Sequence, residues 1–197
     1  MTAVRIAVLS DTQLPRKGRD LPPGVRTALE EVDLILHCGD LNEPPVLAAL
    51  RSFAPVEAVA GEHDAGFDPP LPDRRVLELE GYRIGLLHGH ESGGAGDPGG
   101  GQLAEWALAQ FRRVRPLDCV LFGHAGGPYV GVHPGEFAPG ERRFAHVRRP
   151  VLLLNPGFAG PDHRVISVGY LELRDGTLQA ELRMFTYPRT SRVEVEC

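Results

Sequence analysis

Three cysteines in 197 residues are too few, and too unevenly placed, for a disulfide framework or a zinc-ligand spacing. Cys38 and Cys119 sit in or beside apolar runs, where a free thiol behaves as a small buried hydrophobe. Long hydrophobic runs are missing as well. No stretch approaches the roughly 18–20 apolar residues of a membrane-spanning helix, so no membrane partner is expected. Positive charge is in deficit. Against 26 Asp and Glu stand 21 Lys and Arg, which leaves a net charge of -5. That balance opposes a surface that binds nucleic acid by neutralising phosphates, and no basic run is interleaved with aromatics. A small phosphorylated substrate stays compatible, because a bound metal supplies local positive charge. Lysine is nearly absent, Lys17 being the only one. The N-terminus enters a strand almost at once, without the basic region and apolar stretch of a leader. A reducing cytoplasm is the expected location.

What is present is an ordinary globular composition, 42% hydrophobic and 24% charged, in a length that fits one domain over residues 1–197. Val4 to Leu9 reads as a buried strand. Gly24 to Glu31 reads as a short helix and Val32 to His37 as a second strand. Pro45 to Phe53 has Val46, Leu47 and Leu50 on one helical face, and Pro55 to Ala60 is a third strand. Strand alternating with helix predicts an α/β fold with parallel strands and crossover helices. The second half changes character. Arg75 to Glu80 and Tyr82 to Leu87 meet at Gly81 as a hairpin. Gly93 to Gly101 is a glycine-rich connection, and Gln102 to Val114 is a helix with Leu103, Trp106, Ala107 and Phe111 on its apolar face. Leu117 to Phe122 and Val151 to Leu154 are further buried strands. Val165 to Leu173 and Thr177 to Thr186 flank Asp175-Gly176, a hairpin signal. Gly126 to Arg149 reads as a long surface excursion. No internal repeat or domain-scale linker appears.

Acids, histidines and glycines recur in a fixed order after these strands. They are Asp11-Thr12-Gln13, Gly39-Asp40, Gly61-Glu62-His63-Asp64, His88-Gly89-His90, Gly123-His124-Ala125-Gly126 and Asn155-Pro156-Gly157. In open α/β sheets, loops leaving the C-terminal ends of neighbouring strands converge on one rim, where ligands bind. Oxygen and nitrogen donors placed there point to a metal site. Taken alone, Asp11 and Asp40 are turn residues. His37, inside a strand, reads as structural, and His146 and His163 as surface residues. His90 is divided between ligand support and loop structure. Asn155-Pro156-Gly157 reads as a turn packed beneath the site. Gly93 to Gly101 lacks the Lys-Ser/Thr of a phosphate loop and reads as a mobile connection.

From about Val4 to about Gly157 the ordered set resembles the calcineurin-like metallophosphoesterases. It is most similar to their small bacterial and archaeal phosphodiesterases, a group that includes the retromer's metallophosphoesterase-like subunit. The resemblance implies a four-layer α/β/β/α sandwich with two metals at the strand ends. It implies that Asp40 bridges the metals and that Asp11 holds the first. Glu62, His88 and His124 would hold the second. His63 would be the nearby acid, oriented by Asp64. One carboxylate can hold two cations ~3.5–4 Å apart. Mixed imidazole and carboxylate donors suit manganese first, with zinc, iron or nickel as alternatives.

Three positions depart from the family pattern. Gln13 and Gly126 stand where the family has histidines of the first metal site. Gln13 could offer a neutral carbonyl oxygen, while Gly126 offers none, and His90 and His133 are the candidates to swing in. Glu62 replaces the usual Asn and adds negative charge to the second site. One firm divalent metal and one weak or absent metal are expected. The implied activity is hydrolysis of phosphodiesters by metal-activated water. The rival is a binding or scaffold protein that kept the fold and lost efficient catalysis. A homo-oligomer is compatible with either.

Overall fold

The computed structural model describes residues 3–93, 100–114, 116–124, 127–134, 150–174 and 176–186. Two five-stranded mixed sheets form within them. The first has the order β10-β9-β1-β2-β3 and the second the order β4-β5-β6-β8-β7. In the first, β1 (Val4–Leu9), β2 (Leu34–His37) and β3 (Val56–Ala58) run parallel. The hairpin β9 (Val165–Arg174) and β10 (Thr177–Thr186) joins them antiparallel through β9. In the second, β5 (Tyr82–Leu87), β6 (Cys119–Leu121) and β8 (Val151–Asn155) run parallel. Antiparallel edges are β4 (Arg74–Leu79) and β7 (Tyr129–His133).

Period-two alternation divides the buried side chains into layers. From β1, Ile6 and Val8 point between the sheets, with Leu36, Ile84, Leu86, Cys119 and Leu121. Ala7 and Leu9 point outward against α1 (Pro23–Ala28) and α2 (Pro44–Arg51). From β6, Val120 faces outward beside Phe122, against α3 (Gly101–Ala109). The result is the four-layer α/β/β/α sandwich. Prolines open α1 and α2 where a first turn has no donor to lose. Among the described residues no helix is long and apolar enough to cross a membrane.

Most expected elements form with bounds shifted by a few residues. The helix expected over Gln102 to Val114 ends at Ala109, and turns carry Gln110 to Val114. The expected surface excursion is corrected in part. Residues 129–133 form edge strand β7, paired to β8 in register Tyr129↔Asn155 to His133↔Val151. Alternation of Tyr129, Val130, Gly131, Val132 and His133 was masked by the glycines and prolines around it. Residues 135–149, most of Gly93–Gly101, Ala125, Gly126, His146 and Asp175 lie outside the described residues.

Candidate metal centre

Both sheets present the C-terminal ends of their parallel strands to one rim. The loops after β1, β2 and β3 carry Asp11, Asp40 and the pair Glu62-His63, and those after β5 and β6 carry His88 and His124. Hydrogen bonds stitch the rim across the sheets. His88 Nδ1 donates to the Cys38 carbonyl at 2.7 Å, and Gly123 N donates to the His88 carbonyl at 2.9 Å. His124 N reaches Asp11 Oδ2 at 3.4 Å. Tight turns aim these side chains inward. Asp11, Gln13, Asp40, Asn42 and His124 all take left-handed backbone, with φ of 55°, 48°, 60°, 83° and 61°. Such conformations cost roughly 1–3 kcal/mol each outside glycine and persist where surrounding structure over-determines them. Close approach explains one glycine. A Cβ on Gly61 would run into the Asp40 carboxylate.

Asp40 lies at the centre. Its Oδ1 accepts from His63 N at 3.0 Å, its Oδ2 meets His63 Nδ1 at 2.6 Å, and His88 Nε2 stands 3.7 Å from Oδ1. Two donor sets share it. Asp11, Asp40 and His88 bring ligand atoms within 4.8 Å of one another, and so do Asp40, Glu62 and His63. This division differs from the one the family resemblance implies. His88 groups with Asp11 rather than with Glu62. His124 Nδ1 lies 3.8 Å from Glu62 Oε1, and the rings of His88 and His124 stand edge to face at 5.2 Å.

These residues fit a divalent cation. The side chains of Asp11 and Asp40 are buried close together, and buried charges are paired or bound to metal. Burial pushes the Asp11 carboxyl up, against the pull of His88 and the Ser10 hydroxyl, which donates to Oδ2 at 2.6 Å. Burial also acts to raise Asp40, but His88 and the hydrogen bonds from His63 outweigh it and hold that carboxyl below its ordinary value. Burial and the neighbouring His88 push the His124 imidazole down, with Glu62, Asp11 and Asp40 opposing. The clearest sign is His88. Its Nδ1–H is committed to a carbonyl, its side chain is fully buried, and its Nε2 has no hydrogen-bond partner. That is the arrangement of a metal-binding imidazole, whose second nitrogen is fixed by a backbone acceptor.

Asp64 has a different task from the one expected. Both carboxylate oxygens are occupied by backbone donors: Asp40 N at 3.0 Å, Gly61 N at 2.7 Å and Asn42 N at 2.7 Å. It braces the Asp40 loop, and His63 is oriented by Asp40 instead. Gln13 points its side-chain Nε2 at Asp40 Oδ2, 3.4 Å away, so its carbonyl oxygen is turned from that carboxylate. His133 is not a substitute ligand. It pairs with Glu105 on α3 at 3.5 Å and lies opposite Val151, at the far end of β8 from Asn155. His90 does join the cluster, with its ring 5.5 Å from His88 and 6.5 Å from His124 and a buried, unpartnered Nδ1. Asn155 packs beneath, donating to the Gly123 carbonyl at 3.3 Å and accepting from Gly157 N at 2.8 Å. Ser10, Thr12 and Asn42 are buried in the site and were not singled out from sequence. Their signal was only their place beside the ligand motifs.

The model of the calcineurin-like phosphoesterase superfamily domain matches residues 4–176. The chain belongs to this superfamily. A probable metallophosphoesterase of Methanothermobacter thermautotrophicus is 43% identical over 84 residues, covering 43% of this chain and 49% of that protein. A second, from Methanocaldococcus jannaschii, is 31% identical over 152 residues, covering 77% of this chain and 66% of that protein. The chain thus spans about half to two thirds of the curated relatives it matches. Wild-type Vps29 of Entamoeba histolytica, solved in complex with zinc, shares the fold at a TM-score of 0.64. It is 22% identical, and 98% of each chain is covered. Glu62 is 45% exposed and stands 3.8 Å from both His63 and His124. Gly126 lies outside the described residues.

Proposed function

We propose that this chain is a metal-dependent phosphoesterase that hydrolyses phosphodiesters with water. The observation that carries this reading is the buried, unpartnered Nε2 of His88, held toward Asp40 in a group that includes Asp11. Membership of the superfamily and the two probable metallophosphoesterases support the hydrolase class. A bound divalent cation supplies charge for phosphate oxygens and lowers the pKa of a water that can attack phosphorus in line. Manganese is the first choice, with zinc, iron or nickel as alternatives. Zinc in the Entamoeba Vps29 supports a divalent ion on this fold.

Asp40, shared by both donor groups, would bridge. Asp11 and His88 would complete one site, and Glu62 with His124 the other. Gln13 would serve the first site only after its amide turns over to present oxygen. His63 rests on Asp40 through Nδ1, so Nε2 is the nitrogen that would protonate the leaving oxygen. Asp64 holds the Asp40 backbone in place for this. The site that gains His88 would keep three donors, Asp11, Asp40 and His88, although Gln13 and Gly126 stand where the family has two further imidazoles.

The test is metal content per chain together with hydrolysis of bis-p-nitrophenyl phosphate across added Mn²⁺. Turnover that rises with bound metal and disappears in Asp40→Asn supports the reading. Metal-loaded protein without turnover at any Mn²⁺ concentration sinks it and leaves the binding-protein alternative. A second outcome separates a weakened enzyme from a scaffold. The double change Gln13→His with Gly126→His restores the missing donors, and Mn²⁺-dependent hydrolysis should rise about tenfold or more, the scale of ligand-shell effects.

A further inference from the structure

His37 is fully buried at the end of β2 and takes no part in the chemistry above. Its ring is nonetheless bonded on both sides. Gly39 N donates to His37 Nδ1 at 3.2 Å, which makes Nδ1 the acceptor and leaves the proton of the neutral ring on Nε2. Nε2 faces Thr12 Oγ1 at 3.3 Å, so it donates there. Thr12 Oγ1 then has its own proton free for the Asp40 carbonyl, 3.4 Å away. The order closes without conflict: Gly39 N–H to His37, His37 N–H to Thr12, Thr12 O–H to Asp40. Burial drives the ring's pKa down to about 3, with His88 adding to the effect, so this neutral form persists across the physiological range.

We infer that His37 and Thr12 are positioning residues that lock the Asp11 and Asp40 loops to each other and so set the spacing of the two carboxylates. This rests on the metal-centre reading above. Both loops need such a lock. Asp11, Gln13, Gly39 and Asp40 all have positive φ, and few backbone bonds join the loops directly. Those bonds include Asp11 N to the Gly39 carbonyl at 3.1 Å and Gln13 N to the Asp40 carbonyl at 3.0 Å, beside one isolated bridge between Leu14 and Asn42. The His37–Thr12 bridge runs underneath them from the side of the sheet. It holds the backbone on either side of the Gly39–Asp40 peptide, through Gly39 N and the Asp40 carbonyl. A small rotation there would swing Asp40 away from Asp11 and His88.

The test uses full-length protein and four variants. Thr12→Val removes the hydroxyl at nearly constant volume, and Thr12→Ser keeps it. His37→Leu removes both ring bonds, and His37→Gln restores a donor toward Thr12. Mn²⁺ affinity is read by titration calorimetry, and kcat and KM on bis-p-nitrophenyl phosphate are read at saturating Mn²⁺. Thr12→Val and His37→Leu should each weaken Mn²⁺ binding about 10–100-fold, the usual cost of an outer-shell partner. kcat should fall with KM nearly unchanged. The double variant should be little worse than either single one, because one bridge is broken in both. Thr12→Ser and His37→Gln should recover much of the loss. If His37→Leu does not fold, Thr12→Val carries the test alone. Folded variants that bind Mn²⁺ like the wild type, or losses that simply add, overturn the inference while the metal centre stands. A wild type that binds no Mn²⁺ overturns the metal-centre reading, and the positioning role falls with it.

Discussion

At the scale of residues, Asp40 and His88 decide the site. Asp40 touches everything: His63 through two bonds, Asp64 through its backbone, and His88 across 3.7 Å. Asp40→Asn keeps the shape and removes the charge. It should cost more than the roughly 10–100-fold in Mn²⁺ affinity that an outer-shell partner is worth, read by the same calorimetry. That these residues would meet at one rim was legible in the sequence, because each follows a short apolar strand within a motif. The backbone bonds that Asp64 accepts were not legible, because a carboxylate that braces backbone amides looks, in sequence, like one that orients its histidine neighbour. His37 offers a pH prediction. Its folded pKa, lowered by burial to about 3, lies below the ordinary value of 6.5. The unfolded chain therefore binds the extra proton between these values, and stability falls as pH drops from about 6.5 toward 3. In metal-free protein, denaturant midpoints across that window should slope less steeply in His37→Gln than in the wild type. Equal slopes would mean that other groups carry the acid sensitivity.

At the scale of elements, the strands were easier to read than the turns that give them purpose. Strands β1, β2, β5 and β6 are apolar runs, each followed by a candidate metal-binding residue, and Tyr82–Leu87 and Thr177–Thr186 formed with the expected bounds. The left-handed turns at Gln13 and Asn42 carry no glycine to announce them. Strand β7 was hidden because its pairing partner β8 lies beyond a long intervening segment, and local pattern cannot report a long-range ladder. The loop from Gly61 to Asp64 shows what an element-scale brace does. Asp64 takes three backbone N–H groups from two loops. Bonds to a charged acceptor are worth about 1.5–3 kcal/mol each at most, and these are only partly buried. Asp64→Ala should therefore cost about 2–4 kcal/mol in urea unfolding, with Mn²⁺ affinity falling in step. Stability lost with Mn²⁺ affinity intact would mean that the Asp40 loop holds its form without the brace.

At the scale of the whole molecule, the centre is where the two sheets are tied at one end. Asp11, Asp40 and Glu62 come from the first sheet and His88 and His124 from the second. The interior between the sheets is apolar, built from Ile6, Val8, Leu36, Ile84 and Leu86 among others, and has no direction of its own. Direction comes from the rim, where His88 bonds across to the Cys38 carbonyl and His124 N to Asp11. A cation held by Asp11, Asp40 and His88 would cross-link the same seam, and metal bound only to the folded state stabilises it by mass action. Mn²⁺ at about 100 times its dissociation constant adds about 2.7 kcal/mol. At about 2–4 °C per kcal/mol for a chain of this size, Tm should rise by roughly 5–11 °C over protein treated with chelator. His88→Ala should abolish most of that rise, because it removes the second sheet's share of the cross-link. Asp64→Ala should lower Tm with and without metal. A full Mn²⁺-induced rise in both His88→Ala and the double change His88→Ala with His124→Ala would place the cation on the first sheet's carboxylates alone. The seam would then be held by packing and backbone bonds, with the metal serving chemistry and not architecture.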